Sequence, residues 1–527
     1  ASFARPAPLS PFKSLPISFA RPVSSPSPSP ESASERVMSH FRGDARAPLP
    51  LHPLEKALVI IAGTQLVFMP WALGTMHLWS QLIVLGLAAL GFSIALIPRH
   101  YTSDYAREGE FRLLMWPKLV RFPIFWLGLA LMVYITIQAL NPSYGYVQFP
   151  NGSYTFRSLD HVTWLPTGIE APFAQMNAWR MLIIYAGAWL LACSLWVGLT
   201  RRNAVQAVLA TVVISGAVLG LVAILQRVTG TSDILWFIKG KPSYFVGTII
   251  YKNHAGAYFN LVVTMAAALG LWHYHRSSRR HARNSPAPVF AFCGLIAGVV
   301  VLISYSRAAT FLLLAFSLIG LIVFFVWLFS SAKEGRNNAV VFVLCGVFVV
   351  FVGLGAYFLK FDRTIDRLGN AFAQVQSGEG GSYTSRQLAA HATWDMAQAQ
   401  LTTGWGAGGF RWMFPAYQQH YPAIYRPHGP NGPMMFWEYA HNDYLQGIAE
   451  LGIIGAVLGL ALLAAGAINL IRPGGLTRPP ILLLAGGLLM TLAHSSIDFN
   501  FYNPAVLCTW VAALVLAGRW AELENRR

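Results

Sequence analysis

Charge is scarce in this chain. Only 11% of its 527 residues are Asp, Glu, Lys or Arg, against about a quarter in an average soluble domain. A soluble multidomain enzyme is excluded on that ground. Cysteine is almost as rare. Cys193, Cys293, Cys345 and Cys508 each sit inside a long apolar run with no CxxC neighbour. Neither a metal nor a disulfide framework is expected of them; they read as small buried hydrophobes. There is no HExxH, no GxSxG and no DxD pair. That argues against a zinc hydrolase, a serine hydrolase and a carboxylate-held divalent metal.

What is abundant is apolar. Hydrophobic residues make up 55% of the chain and the mean hydropathy is +0.49, so disorder of the whole chain is excluded. The net charge of +17 (38 basic, 21 acidic) first suggests nucleic acid, but apolar runs of about twenty residues recur, each the length of a membrane-crossing helix. Twelve spans can be drawn, at 57–74, 77–97, 119–140, 179–198, 204–226, 254–273, 287–305, 307–330, 338–359, 445–470, 480–497 and 503–520. The expected fold class is an all-α polytopic integral membrane protein of about 12 transmembrane helices.

Residues 1–53 differ from the rest, with eleven Pro, eleven Ser and no sustained apolar stretch. They read as a disordered cytoplasmic tail without the apolar h-region of a signal peptide. The first residue is not Met, and Met38 offers an internal start. Residues 54–359 then hold helices 1–9, 360–444 a large, partly helical external loop, and 445–527 helices 10–12 with a short cytoplasmic C-terminus. A second external loop, 141–178, is aromatic and nearly uncharged.

The distribution of charge decides the partner question. With the tail inside, 25 Lys/Arg and 10 Asp/Glu fall on the cytoplasmic side, leaving 13 and 11 outside. The net charges are then +15 and +2, as the positive-inside rule requires. A nucleic-acid partner loses its support, and the surplus sets topology.

A few external cations stand out against that rule. Lys252 precedes the sixth span and Arg307 opens the eighth. Both meet the positive end of a helix dipole, a position that suits an anion and disfavours Lys or Arg. Asn253 and Ser306 offer N-caps beside them. In the large loop, Thr384-Ser385-Arg386-Gln387 reads as a capping box that opens an Ala-rich helix to about Leu401, with Arg386 in its first turn. Together they suggest a site for an anionic ligand. Each also has a plain alternative: Lys252 snorkelling at the interface, Arg307 paired with Asp362 or Asp366, and Arg386 solvated.

Gly404-Trp405-Gly406-Ala407-Gly408-Gly409 satisfies GxGxxG, but no strand precedes it, so it reads as a close-packed turn. The loop closes on Glu438-Tyr439-Ala440-His441-Asn442-Asp443-Tyr444-Leu445-Gln446. His441 suits proton transfer near neutral pH, or else a structural bond to a loop carbonyl. Glu450 is an intramembrane carboxylate, hence a functional candidate or a tie to a neighbouring helix.

Tyr251-Lys252-Asn253-His254, Ser306-Arg307, Ser385-Arg386 through Gly408, and His441-Asn442-Asp443-Tyr444-Leu445-Gln446 followed by Glu450-Leu451-Gly452 together resemble the O-antigen ligase/polymerase superfamily. The resemblance covers about 200–510, and the HNDYLQ…ELG segment is its most specific part. It implies a glycosyltransferase of the bacterial inner membrane, independent of metal or other cofactor. Its active site would be periplasmic, with the large loop between helices 9 and 10 on that side. The donor implied is an undecaprenyl-diphosphate-linked glycan. The acceptor hydroxyl belongs to lipid A core in ligases, to a lipid-linked glycan in polymerases, and to a Ser or similar side chain in protein-glycosylating relatives. Carried over by motif, Arg307 and Arg386 look like the diphosphate-binding arginines and His441 like the activating base. Lys252 and Asn253 match a motif position of less defined role, with His254, Asn442, Asp443 and Glu450 in support. From a different class, a lipid or glycan transporter would need inverted repeats and broken mid-membrane helices. No clear repeat is visible, and the polar residues gather at one face.

Overall fold

Prolines and glycines set the helix boundaries. Proline falls in the first turn of the helices Pro53–Trp71 (α1), Pro123–Leu140 (α3), Ala287–Ile303 (α7) and Pro479–Ser495 (α12), where its missing N–H costs nothing. Arg202–Thr229 (α5) ends on Gly230 in the left-handed conformation, the usual glycine stop. The remaining long helices are Leu78–Leu96 (α2), Ala178–Gly198 (α4), Lys252–Arg280 (α6), Arg307–Ser330 (α8), Ser382–Ala399 (α9), Asp443–Ile471 (α11) and Pro504–Asn525 (α13), with the short Phe410–Gln418 (α10) in the loop. The computed structural model describes residues 50–105, 110–150, 154–240, 244–280, 284–330, 382–427, 429 and 432–525, with isolated helical positions at 346, 350 and 353. The expectations for residues 1–49, Cys345, the ninth span at 338–359, and the loop's first part with Asp362 and Asp366 lie outside the described residues.

Eleven of the twelve expected spans coincide with helices. Eight are long and apolar enough to cross a membrane, and α7, α8 over Arg307–Val323 and α12 are shorter apolar helices. The architecture is that of a polytopic membrane protein. Small residues let the helices approach closely. A Cβ on Gly216 would lie 2.8 Å from Val262, and one on Gly220 would lie 2.8 Å from Ile296, which is how bundles pack where lipid removes the hydrophobic driving force. Cys193, Cys293 and Cys508 are buried and free.

The chain is not purely helical. Within 141–178 the chain forms a three-stranded sheet: Pro142–Gln148 (β1) pairs antiparallel with Tyr154–Ser158 (β2) and parallel with Gly168–Glu170 (β3). Its aromatics pack on the large loop; the rings of Tyr146 and Trp412 are 4.6 Å apart.

The glycine turn welds the large loop to α11. Gly404, Gly406 and Gly408 all have positive φ, and a Cβ on Gly404 would fall 2.3 Å from the backbone of Glu450. Opposite them Gly452 interrupts α11 at φ 65. The break frees main-chain groups that the turn takes up: Trp405 N donates to Ala449 O (2.9 Å), Gly406 N to Glu450 O (2.9 Å), Ile453 N to Leu401 O (2.8 Å) and Ile454 N to Thr402 O (3.3 Å). The Glu450 carboxylate, 1% exposed, completes the join. It accepts from Gly408 N at 2.9 Å, Phe410 N at 3.2 Å, Gln446 Nε2 at 3.1 Å and Tyr502 OH at 2.7 Å.

The far end of the bundle is an ionic network. Buried Glu55 accepts from Thr200 N and Oγ1, both at 2.7 Å, and from Arg201 N at 3.0 Å, and faces buried Arg99 at 3.8 Å. Glu524 pairs with Arg202 at 3.2 Å and Arg478 at 3.5 Å.

Candidate functional site

At the other end, five segments converge on a turn between α12 and α13. Its centre is Asp498, 1% exposed, a residue the sequence pattern did not single out. One carboxylate oxygen, Oδ1, lies 3.4 Å from His441 Nδ1. The other, Oδ2, accepts from Asn253 Nδ2 and, at 3.5 Å, from Tyr251 OH. Burial alone would raise the Asp498 pKa, but the imidazole of His441 facing it, with His494 and His254 nearby, outweighs burial. The carboxylate is therefore held well below the usual range.

His441 sits on the last turn of loop before α11, with φ 54. Left-handed backbone at a non-glycine residue costs about 1–2 kcal/mol, so the surroundings must hold it. They do: the ring stands edge-on to Trp437 at 5.7 Å and to Phe499 at 5.0 Å. A carboxylate facing Nδ1 favours the tautomer protonated there, which leaves the Nε2 lone pair as the basic position. With 24% of its side chain exposed, the ring is open on one side to an incoming hydroxyl.

The neighbouring sequence candidates organise this pair. Asn442 caps α11, its Oδ1 accepting from Leu445 N at 3.0 Å. Asp443 binds the far side of the turn, its Oδ2 accepting from Phe501 N at 3.0 Å and its N donating to Asp498 O at 3.2 Å. His254, buried, contacts Phe499 O at 3.2 Å and Asn503 Nδ2 at 3.3 Å. Phe499 is the packing hub, stacked on Tyr439 at 4.2 Å and Tyr251 at 5.2 Å. Buried His494 completes the floor, with neither ring nitrogen hydrogen-bonded among the described residues.

The cations flank the turn. Lys252 and Arg307 are the first residues of α6 and α8. These two helix starts pack tightly because Gly256 has no side chain; a Cβ there would meet Ala309 Cβ at 2.4 Å. Asn260 Nδ2 donates across to Ala309 O at 3.1 Å. Two positive helix ends and two cationic side chains thus lie side by side, an arrangement suited to an anion. Arg386 joins them through Ile497 O, which accepts from its Nη1 at 3.2 Å. Lys252 lies in the fields of Arg307, Arg227 and Arg386 and of the Asp498 carboxylate. Among the described residues no ion pair occupies Arg307, Arg386 or Lys252.

Some local expectations are corrected. Asn253 is not the cap of α6: the helix begins at Lys252, and the Asn253 side chain turns to Tyr251 and Asp498. Ser306 does not cap through its hydroxyl; Ser304 Oγ instead accepts from Ser306 N at 3.1 Å. Helix α9 starts at Ser382, before the expected box, so Arg386 lies in its second turn. The Glu450 carboxylate ties the glycine turn, through Gly408 N and Phe410 N, to Gln446 on α11 and to Tyr502 beyond α12.

Residues 291–460 match the family model Wzy_C, O-Antigen ligase. That segment contains Arg307, Arg386, His441 and Glu450, whereas Lys252, Asn253, His254 and Asp498 lie outside it. The match supports the superfamily resemblance and, with it, a glycosyltransferase-type role with lipid-linked glycans. No curated protein matches the chain.

The Asp498 contact makes its own prediction. In Asp498→Asn the imidazole loses the carboxylate that stabilises a proton on it. The rate at saturating substrate should fall about tenfold or more. Asp498 itself, with its pKa depressed, keeps its charge at any pH above the ordinary carboxylate value and loses it only as the pH falls through the lower folded value. An unchanged rate in Asp498→Asn would remove Asp498 from the reaction.

Proposed function

We propose that the chain is an O-antigen ligase-like glycosyltransferase working on the periplasmic face of a bacterial inner membrane, with both termini cytoplasmic. It takes a glycan from undecaprenyl diphosphate and passes it to an acceptor hydroxyl. The observation that carries this reading is the His441–Asp498 pair beside a cluster of cations at two adjoining helix starts. Lys252, Arg307 and Arg386 neutralise the diphosphate as the anomeric C–O bond breaks. The acceptor oxygen forms the new bond to the anomeric carbon, its proton passes to His441 Nε2, and the leaving group is undecaprenyl diphosphate. Direct attack inverts the anomeric centre. No step in this sequence calls on a metal or cofactor.

A cleft supports a lipid-borne substrate. Between α3, α4, α11 and α13 lies an apolar cavity of about 410 Å³, running from Asp443 and Tyr444 down to Leu460 and Leu463. Its size is within the ~300–1,000 Å³ of small-molecule sites, and the turn that bears Asp498 also supplies Phe501 and Tyr502 to its wall. A polysaccharide polymerase would use the same machinery with a lipid-linked acceptor.

The test supplies purified protein in liposomes with labelled undecaprenyl-diphosphate glycan and competing acceptors: lipid A core, lipid-linked glycan and a Ser peptide. The label should appear on a lipid acceptor. Label that stays on the donor with all three would overturn the proposal, as would label that crosses the bilayer unreacted. The cleft gives a second arm. A Cβ on Gly459, in the cleft wall, meets nothing within 4 Å, so Gly459→Phe sets a ring at that wall with no clash at its Cβ. It should raise KM for lipid-borne substrates about tenfold, ~1.4 kcal/mol, and leave short-chain soluble analogues unaffected.

A further inference from the structure

The diphosphate reading leaves one nearby cation without a task. Arg227 lies in the last turn of α5, where the helix dipole favours a positive charge. Its Nη2 donates to Ile303 O at 3.1 Å, and its guanidinium lies 4.7 Å over the Tyr305 ring. These two contacts bracket the elbow between α7 and α8. Tyr305 has φ 56, a left-handed backbone in a bulky aromatic residue, which persists only where the surroundings hold it. Arg307 follows two residues later.

The other supports of the elbow are short-range. Ser304 Oγ accepts from Ser306 N, and Thr310 Oγ1 donates to Val301 O at 3.3 Å. Ser306, 1% exposed, is wedged between the starts of α6 and α8, and its Oγ has no hydrogen-bond partner among the described residues. Arg227 adds a polar tie from the elbow to α5, which also packs on α7 through Gly220 against Ile296 and Val300. A planar guanidinium suits this double duty, because its edge donates to a carbonyl while its face stacks on a ring. A lysine could reach the carbonyl or the ring but could not bracket both.

We propose that Arg227 is a positioning residue for the anion site. It clamps the 303–305 elbow against α5 and thereby holds Arg307 beside Lys252 at the spacing that a diphosphate requires. Arg227 contributes to the field at Lys252, but its main effect on the ligand acts through Arg307. This rests on the diphosphate reading above, and the experiment separates the two.

Binding of undecaprenyl diphosphate is measured for the wild type, Arg227→Gln, Arg227→Lys, Arg307→Gln and the double variant Arg227→Gln/Arg307→Gln, with thermal midpoints recorded alongside. Arg227→Gln should weaken binding about tenfold. Arg227→Lys should recover less than half of that loss, since charge alone does not restore the clamp. In the Arg307→Gln background the same Arg227→Gln change should cost less than threefold. A merely structural role would lower the thermal midpoint without this dependence on Arg307. Wild-type affinity in Arg227→Gln overturns the proposal, and so does an equal, additive loss in both backgrounds, which would make Arg227 an independent phosphate contact. If wild-type protein fails to bind the diphosphate, or Arg307→Gln binds as well as wild type, the diphosphate reading itself is overturned.

Discussion

Replacing His441 should abolish glycan transfer while leaving donor binding nearly intact. A positioned general base contributes about 10²–10⁴-fold, the largest single loss expected of any side chain here. The substitution needs care because of the backbone: His441 has φ 54, and alanine at such a position adds strain of its own. His441→Asn is the cleaner variant, because Asn tolerates left-handed backbone yet supplies no base. His441→Ala should behave alike in turnover and differ only in stability. Single-turnover rates with labelled donor, alongside equilibrium binding of undecaprenyl diphosphate, distinguish lost chemistry from lost affinity. Full turnover in His441→Asn would remove the base assignment. Equal loss of binding and turnover would instead place the ring against the donor.

The second large effect falls on the arginines. A hydrogen bond to a charged group contributes about 1.5–3 kcal/mol, so Arg307→Gln and Arg386→Gln should each weaken undecaprenyl diphosphate about ten- to a hundredfold. Both side chains border one turn, Arg386 through Ile497 O and Arg307 through the packed starts of α6 and α8. Their combined loss should leave too little affinity to measure in the micromolar range. Lysine replacements should rescue partially, as a point charge replaces a bidentate fork. Unchanged affinity in Arg307→Gln would defeat the diphosphate site, and unchanged affinity in Arg386→Gln would remove Arg386 from it.

Much of this fold is legible in the chain because membrane spans advertise themselves. Each apolar run must satisfy its own backbone in lipid, and only a helix of about twenty residues does so. The site is less legible. His441, Arg307, Arg386 and Lys252 could be picked out as polar residues at span boundaries, and the structure groups them around one turn. Asp498 could not. It lies between Ile497 and Phe499 in a short connection between two spans, and its meaning comes only from residues brought to it, His441 and Asn253. The signal that was available is an acidic residue in a short turn between two apolar spans. Arg227 was hidden for the opposite reason: a cation at a helix C-terminus is ordinary, and only the bracketed elbow makes it unusual. The sheet at β1–β3 went unseen because its strands are short and are held by distant partners, such as Trp412 against Tyr146.

The weld at Gly404–Gly408 has a mechanical consequence. With four main-chain hydrogen bonds and a buried carboxylate spanning the join, the loop from α9 to α10 cannot swing as a hinged lid; it travels with α11 as one body. On the proposed reading, a lipid-borne glycan should then reach the site along the bilayer plane. Turnover on that reading should be paced by lateral diffusion of lipid into and out of an already assembled site, with no flap-like closure of this turn over the substrate.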